Sequence, residues 1–406
     1  MDNRKDLAKT INAFRMGVIP DTELEGLIVG RDAEKKEFKH FIKAIAEEEI
    51  SGLRFLNGAY GTGKTFMLEY IKEVALKENY VVANVSINSG FNLSKFDVFY
   101  TNIMNNLSIQ TPDATKGTNF EDIFGLWVKK IKKENYMNVA NRNVYQVIHQ
   151  LNAYNNAFAT VLMIYMRAII NKNMQLANIA VSWIKGDKNI SYELKKQLKV
   201  KGSVDVENAM DIFKGFVKML TLIGYKGLIV TIDEAELMMQ SRSDIRMKAY
   251  SNIRYIMDAC GTNDITGCGF IIAGTDELFC DDEKGFPSYA ALSQRLGDNI
   301  KSSKQNIGNV RQPVVHLTRL GEGEFKNIGE KLFTIHKDYY GYEVEVDFEK
   351  VFNLVMIECR KDHQGKEVTM RYFLKKMIEI LDLLEKEPNL PIFNARIKAG
   401  VKRSEI

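Results

Sequence analysis

The chain is poor in the residue types that most often carry chemistry by themselves. Its 406 residues include four cysteines, Cys260, Cys268, Cys280 and Cys359, with no C-x-x-C pair among them. That argues against a disulfide framework or a zinc ribbon and fits a reducing cytoplasm. The five histidines, His40, His149, His316, His336 and His363, are scattered without ligand spacing, so each reads as core or surface. No G-x-S-x-G turn and no nuclease, methylase or glycosylase signature occurs. Charge of one sign is scarce too. The net charge of +4 is small for the length, so the global balance does not announce nucleic-acid binding. Long apolar runs are missing: the greasiest window, Ala157 to Met166, is about half a membrane span and stops at Arg167, which reads as a buried helix. Met1-Asp2-Asn3-Arg4-Lys5-Asp6 has no apolar stretch behind it, so no signal peptide is expected. What remains is an ordinary globular composition, long enough for two or three domains.

Against that background one stretch stands out. Gly58-Ala59-Tyr60-Gly61-Thr62-Gly63-Lys64-Thr65 fits G-x-x-x-x-G-K-[ST]. The apolar run Leu53 to Leu56 reads as a strand entering it. The helix leaving it carries Leu68, Ile71, Val74 and Ala75 on one face. Glycines let the backbone curl so that its N–H groups point at phosphate oxygens, and the helix N-terminus adds a positive dipole end. Lys64 can reach the β and γ phosphates of ATP, and Thr65 can give a hydroxyl to Mg²⁺.

Elsewhere, Gly30-Arg31-Asp32-Ala33-Glu34 precedes a helix running to about Glu48, with Asp32 as its expected N-cap. A second strand is expected in Tyr80 to Ile87. Strand, helix, strand in that order implies a parallel α/β sheet. From about 95 to 222 the pattern is mostly helical. Continuous apolar runs then return at Leu228–Ile232 and Gly269–Gly274, as expected of strands covered on both faces. A short strand is expected at Val314 to Leu317. The pattern is helical again from Glu322 to Leu384, and a basic tail with Arg396, Lys398, Lys402 and Arg403 follows.

Asp233-Glu234 directly follows the run 228–232. An acid at the carboxyl end of a buried parallel strand lies where ligands bind in such sheets. Asp233 would hold Mg²⁺, through water or through Thr65, and Glu234 would orient and deprotonate the attacking water. A solvated strand end is the plainer use of two acids. Thr275, at the tip of the strand 269–274, could sense the γ phosphate or position the water; capping a helix is the rival use of Thr275 or Asp276. The 169 positions from Lys64 to Asp233 exceed a minimal unit and imply a helical insertion at roughly 102–220.

The order of parts resembles an AAA+ ATPase of the initiator-like clade, and more narrowly the BREX-associated ATP-binding proteins of bacterial and archaeal phage defence. The likeness covers about residues 12 to 385. It rests on Val29-Gly30-Arg31-Asp32-Ala33-Glu34, on Asn57 through Phe66, on Gly224-Tyr225-Lys226-Gly227-Leu228 leading to Asp233-Glu234-Ala235-Glu236, on Ala273-Gly274-Thr275-Asp276-Glu277-Leu278-Phe279, and on Tyr289-Ala290-Ala291-Leu292-Ser293-Gln294-Arg295-Leu296. The resemblance implies an AAA+ P-loop core with a C-terminal helical lid. The expected domains are then a lead and adenine-side entry motif over 1–50, a core with its insertion over 51–312, a lid over 313–386 and a basic tail over 387–406. Nucleotide-binding residues would be Gly30, Arg31, Gly58, Tyr60, Gly61, Thr62, Gly63, Lys64, Thr65 and Phe66. Arg295 would be a trans-acting arginine finger, which requires an oligomer; an ordinary surface arginine is the alternative. Arg371, in Val368-Thr369-Met370-Arg371-Tyr372-Phe373, would be the lid's sensor for the γ phosphate, with Thr369 starting its helix. Initiators usually follow the lid with a winged-helix domain, and the twenty-odd residues after Leu384 are too few for one.

Two lysine clusters lie in the insertion: Lys129, Lys130, Lys132 and Lys133 near Trp127 and Tyr136, and Lys185, Lys188, Lys195, Lys196, Lys199 and Lys201. Each could hold non-specific DNA or be a solvated helix face. Arg242, Arg246 and Arg254 could couple a partner to the site or pair with Glu236 and Asp244. The resulting expectation is an Mg²⁺-dependent ATPase of a phage-defence system that remodels DNA or a partner such as a helicase. The alternative is an ATP-gated assembly switch with little turnover. A signalling ATPase resembling apoptosis-like immune sensors fits less well, because the chain has no room for an effector domain and a sensor array.

Overall fold

The computed structural model describes residues 4–88, 90–111, 116–117, 120–133, 137–297, 311–343, 346–362 and 367–387. The chain divides into two compact units. One joins Lys36–Asn57 to Ile71–His316; the other joins the segment up to Lys35, Gly58–Tyr70 and the segment from Leu317 onward.

The larger unit is built on a sheet of β1 (Gly52–Asn57), β2 (Val81–Ser86), β3 (Leu107–Gln110), β4 (Lys116–Gly117), β5 (Leu228–Asp233), β6 (Cys268–Gly274) and β7 (Val314–His316), in the order β4-β3-β2-β5-β6-β1-β7. From β2 to β7 all neighbours are parallel. The register brings strand ends level: Asn57 pairs with Gly274 and with His316, and Ile232 pairs with Ile272. Every residue of β5 and β6 is buried. Helices on both faces are the reason. α1 (Arg4–Met16) belongs to the other unit, but α2 (Asp32–Glu47) sends Phe41 and Ile45 onto Gly269, where a Cβ would come within 2.6 Å of Ile45 Cδ1. On the opposite face Phe270 meets Phe213, ring centroids 6.0 Å apart, and Phe99 at 6.4 Å. A strand covered twice has no solvent face to be polar on, so its sequence is continuously apolar.

Phe99 lies on α4 (Phe96–Asn105), which follows α3 (Lys64–Lys77) and β2. The insertion, expected to be mostly helical, opens with two short strands that the sequence did not suggest. β3 pairs antiparallel with β2 and β4 with β3, extending the sheet by two short strands. Helices follow: α5 (Phe120–Lys133), α6 (Met137–Leu151), α7 (Asn156–Ile170), α8 (Met174–Ile184), α9 (Tyr192–Gln197) and α10 (Ala209–Ile223), the helix that carries Phe213. The greasy window 157–166 is α7, with Phe158, Leu162 and Tyr165 buried; Asn155 caps it by accepting from Phe158 N at 2.9 Å. Among the described residues no helix is long and apolar enough to cross a membrane. After β5 come α11 (Ser243–Gly261), α12 (Asp276–Cys280) and α13 (Ala290–Leu296).

The smaller unit packs α1 with α14 (Glu322–Tyr340), α15 (Phe348–Asp362) and α16 (Met370–Lys386). Phe373 is its centre, edge-on to Phe325 at 5.1 Å and to Phe352 at 6.0 Å. A polar network ties the helices as well. Arg15 donates from Nη2 to Asp382 Oδ1 at 2.7 Å, Asp382 faces fully buried His336 at 3.1 Å, and His336 meets the Tyr342 hydroxyl at 3.0 Å. The lead of the chain is thus a helix of this unit. Asp32 is not the cap expected of it: α2 begins at Asp32 itself, which lies in the first turn, where its charge still favours the dipole. The basic tail beyond residue 387, and His363, lie outside the described residues.

Candidate nucleotide site

The chain leaves β1 at Asn57 and enters the loop at once. Gly58 has no room for a side chain: a Cβ there would come 2.5 Å from Thr62 Oγ1 and 2.8 Å from the Leu317 carbonyl. Gly61 and Gly63 have φ of +84° and +92°, a region L side chains avoid. Thr62 is buried and closes the curl by donating from its hydroxyl to Ala59 O at 2.9 Å. α3 then begins at Lys64, whose ammonium folds back to donate to the carbonyls of Gly58 (2.6 Å) and Ala59 (3.2 Å). Thr65 and Tyr60 are exposed, Tyr60 by 74%, and Phe66 is half-buried.

Two other segments close on this loop within the same unit. Arg31 is buried, and its Nη2 donates to Thr62 O at 2.9 Å and also to Thr318 O; Nη1 faces Glu34 at 3.4 Å. Burial pulls the guanidinium below its usual pKa, with Glu34 opposing. Arg31 therefore ties the backbone of the loop to that of Thr318, a role the motif alone did not reveal. Gly30 beside it has φ +63°, and a side chain there would collide with the stem of Glu324 in α14. Glu324 itself accepts from Gly321 N at 2.8 Å and so caps α14. An open cavity of about 810 Å³ lies beside this entry segment, lined by Ile28, Val29, Gly30 and Asp32 and by Asn327 and Lys331 of α14; no residue of the loop 58–65 lines it.

The second segment is the start of α16. Thr369 caps the helix, its hydroxyl accepting from Tyr372 N, and its methyl sits over Gly61: a Cβ on Gly61 would be 2.8 Å from Thr369 Cγ2. Arg371, in the first turn, is exposed, and its stem passes Gly17, the left-handed residue (φ +72°) that ends α1.

In the larger unit, Asp233 ends β5 and is buried, accepting from Glu234 N at 2.8 Å. Glu234 is exposed and holds φ 57°, ψ 33°. A non-glycine in this region is strained, and such strain concentrates at functional sites. Thr275 stands at the N-cap position of α12 but makes no capping hydrogen bond with its side chain. Arg295 is engaged within its own chain: Nη2 donates to Asp258 Oδ2 at 2.9 Å and Nη1 to Ala291 O at 2.8 Å, and the Asp258 bond raises its pKa further. Arg242 faces Asp244 at 3.3 Å, whereas buried Arg246 donates to Ser241 O at 2.9 Å and has no ion pair with an acid among the described residues.

In the smaller unit, positive-φ glycines and a helix N-terminus make a cradle suited to phosphates. In the larger unit, taken by itself, a buried carboxylate at a strand end beside an exposed one is a donor set suited to a hard divalent cation and to water. Residues 3–396 match the family model described as BREX system ATP-binding protein BrxC/D. Among solved structures the chain is similar to the Aeropyrum pernix ORC1 protein in complex with DNA, at 12% identity and TM-score 0.41 over 96% of this chain and 69% of that one. It is likewise similar to the Aeropyrum pernix ORC2 protein in ADPNP–ADP complexes, at 12% identity and TM-score 0.44 over 96% and 71%. A comparison with curated proteins finds no match.

Proposed function

Because the chain belongs to the BREX system ATP-binding protein family BrxC/D, we propose that it is an Mg²⁺-dependent ATPase whose turnover remodels DNA or a partner protein, such as a helicase of the same defence system. In the smaller unit, Lys64 and the N–H groups of the loop bind the phosphates, Thr65 offers its hydroxyl to the metal, and Arg371 reads the terminal phosphate from α16. Arg31 holds the loop in its binding shape, with Gly30 leaving space beside it. In the larger unit, Asp233 supplies the metal's carboxylate, Glu234 takes the proton of the attacking water, and Thr275 orients that water. When bound, Mg²⁺ neutralises charge developing between the β and γ phosphates.

The observation that carries hydrolysis, beyond binding alone, is Glu234: an exposed carboxylate held in the left-handed region directly after a buried one. Strain of this kind is retained where a side chain must be aimed. The test is steady-state ATPase of purified protein. Lys64→Ala should lose nucleotide binding. Glu234→Gln should keep ATP binding and lose turnover by about 10²-fold or more, the range for a general base. Normal turnover in Glu234→Gln would sink the assignment.

A second reading is supported by Arg295. Its guanidinium is occupied by Asp258 of the same chain. A chain whose finger is held back would bind ATP and turn it over little, acting as an ATP-gated assembly switch in a larger defence complex. Light scattering with a slowly hydrolysed ATP analogue separates the two: assembly complete without hydrolysis favours the switch.

A further inference from the structure

The insertion's second lysine cluster is not one face. Lys185 approaches Glu121 at 3.9 Å, and Lys188 donates to Asp97 Oδ2 at 2.8 Å and to Val204 O. These two lysines are taken up by partners that tie the segment to its neighbours, although Lys188 is itself exposed. Apolar anchors do the same: Ile190, Leu198, Val200 and Val204 are buried, and Trp183 Nε1 donates to Gly202 O at 2.9 Å. What the pinned segment turns outward is different. Tyr192 is 67% exposed, Lys196, Lys199 and Lys201 are exposed, and Lys195 is half-buried. Tyr192, Lys195 and Lys196 stand at i, i+3 and i+4 of α9, hence on one side of it. None of these four lysines has an ion-pair partner among the described residues, and the only acid from 192 to 201 is Glu193.

Lys199 adds an independent observation. α9 ends in a Schellman turn, with Val200 N bonded to Lys195 O at 3.1 Å and Lys199 N to Lys196 O at 3.0 Å. Lys199 occupies the left-handed position of that turn, φ 55°, where glycine is the comfortable residue. Folding alone does not ask for a lysine there.

We propose that α9 and its C-terminal turn are a binding surface for single-stranded nucleic acid, with Tyr192 as a stacking platform for a base and Lys195, Lys196, Lys199 and Lys201 tracking the backbone phosphates. An aromatic face within a phosphate-binding patch suits unpaired bases, because a duplex keeps its bases stacked on each other. The charge is complementary and the segment is fixed in advance, so little ordering is needed on binding. The inference is independent of the ATPase reading and is tested without nucleotide.

The experiment is fluorescence anisotropy of a labelled oligothymidylate of about twenty nucleotides, longer than a single binding site, beside a duplex of equal length, across a salt series. The single strand should bind more tightly than the duplex. Tyr192→Ala should weaken it roughly tenfold and Tyr192→Phe should not, since stacking needs the ring alone. Replacing Lys195 and Lys196 together by alanine should lower the salt slope by about 1.4, the loss of two single-strand phosphate contacts. Lys199→Gly should weaken binding while raising Tm, a combination that misfolding cannot produce. ATPase without nucleic acid should stay as in the parent protein. Unchanged affinity in the tyrosine and lysine variants overturns the proposal. So does a preference for duplex, or capture of phosphatidylserine vesicles with no affinity for the oligonucleotide.

Discussion

At the scale of single residues, the loop is governed by what glycine permits. Gly61 meets two demands together: its φ of +84° and the methyl of Thr369 where a Cβ would go. An L residue in that region costs about 1–2 kcal/mol before any collision. Gly61→Ala should therefore lower stability by about that amount or more and weaken ATP binding at least tenfold. Thr369→Ser removes the obstructing methyl and keeps the capping hydroxyl. In the Gly61→Ala background it should return part of the lost stability, so that a double-mutant cycle from urea unfolding gives a coupling of about 0.5 kcal/mol or more. Strict additivity would mean that α16 does not rest on the loop. The loop's identity was legible in sequence because glycine spacing is itself the mechanism. Arg31 was legible only as a member of a motif. Its bonds to Thr62 and Thr318 run to backbone carbonyls far along the chain, and a carbonyl leaves no mark on residue choice.

At the scale of elements, the same contrast holds. β5 and β6 could be read because burial on two faces makes a strand almost continuously apolar, β1 because it runs straight into the glycine loop, and α16 because Thr369 marks its start. β3 could not. Leu107–Gln110 is four residues long and closely follows α4; pairing with Val82 and Ala83 on one side and with β4 on the other makes it a strand. α1 was hidden for a related reason. Leu7, Ile11 and Phe14 keep helical spacing, but a short polar stretch gains its helix from the partners it packs on. Those partners bring a pH dependence. Burial depresses the pKa of His336 below 6.5 against the pull of Asp382. At Asp382 burial acts to raise the pKa, but hydrogen bonds from Arg15 and His336 prevail and hold it below 3.8. Both groups bind fewer protons folded than unfolded. Their contributions are complete above about 6.5 and 3.8, the unfolded values, and are lost as pH falls through the lower folded ones. Stability measured by urea unfolding should thus decline on going from pH 7 to pH 5. His336→Gln should be less stable at pH 7 by about 1–3 kcal/mol, since buried partners lose their bonds, and should decline less over the same interval. An identical decline would show that His336 is not the titrating group.

At the scale of the whole molecule, the finger assignment turns on a single exposed ion pair. Arg295 on α13 is held by Asp258 on α11, yet the pair is solvent-accessible, and exposed pairs are released at little cost. A neighbour presenting phosphate can therefore compete for the guanidinium, while an isolated chain keeps it folded back. If Arg295 acts in trans, the defect in Arg295→Ala lies in what the subunit gives its neighbour, and the defect in Lys64→Ala lies in its own loop. Each variant alone should show turnover lowered by about 10³-fold or more, the scale of an arginine finger or of lost nucleotide binding. Mixed in equal amounts they should recover to about a quarter of wild-type turnover, because random head-to-tail pairing sets an intact loop beside an intact finger at that share of interfaces. The recovered rate should rise with total protein concentration, as assembly requires. No recovery at any ratio or concentration, with both variants folded, would make Arg295 a residue of its own chain's surface, held by Asp258 and the Ala291 carbonyl.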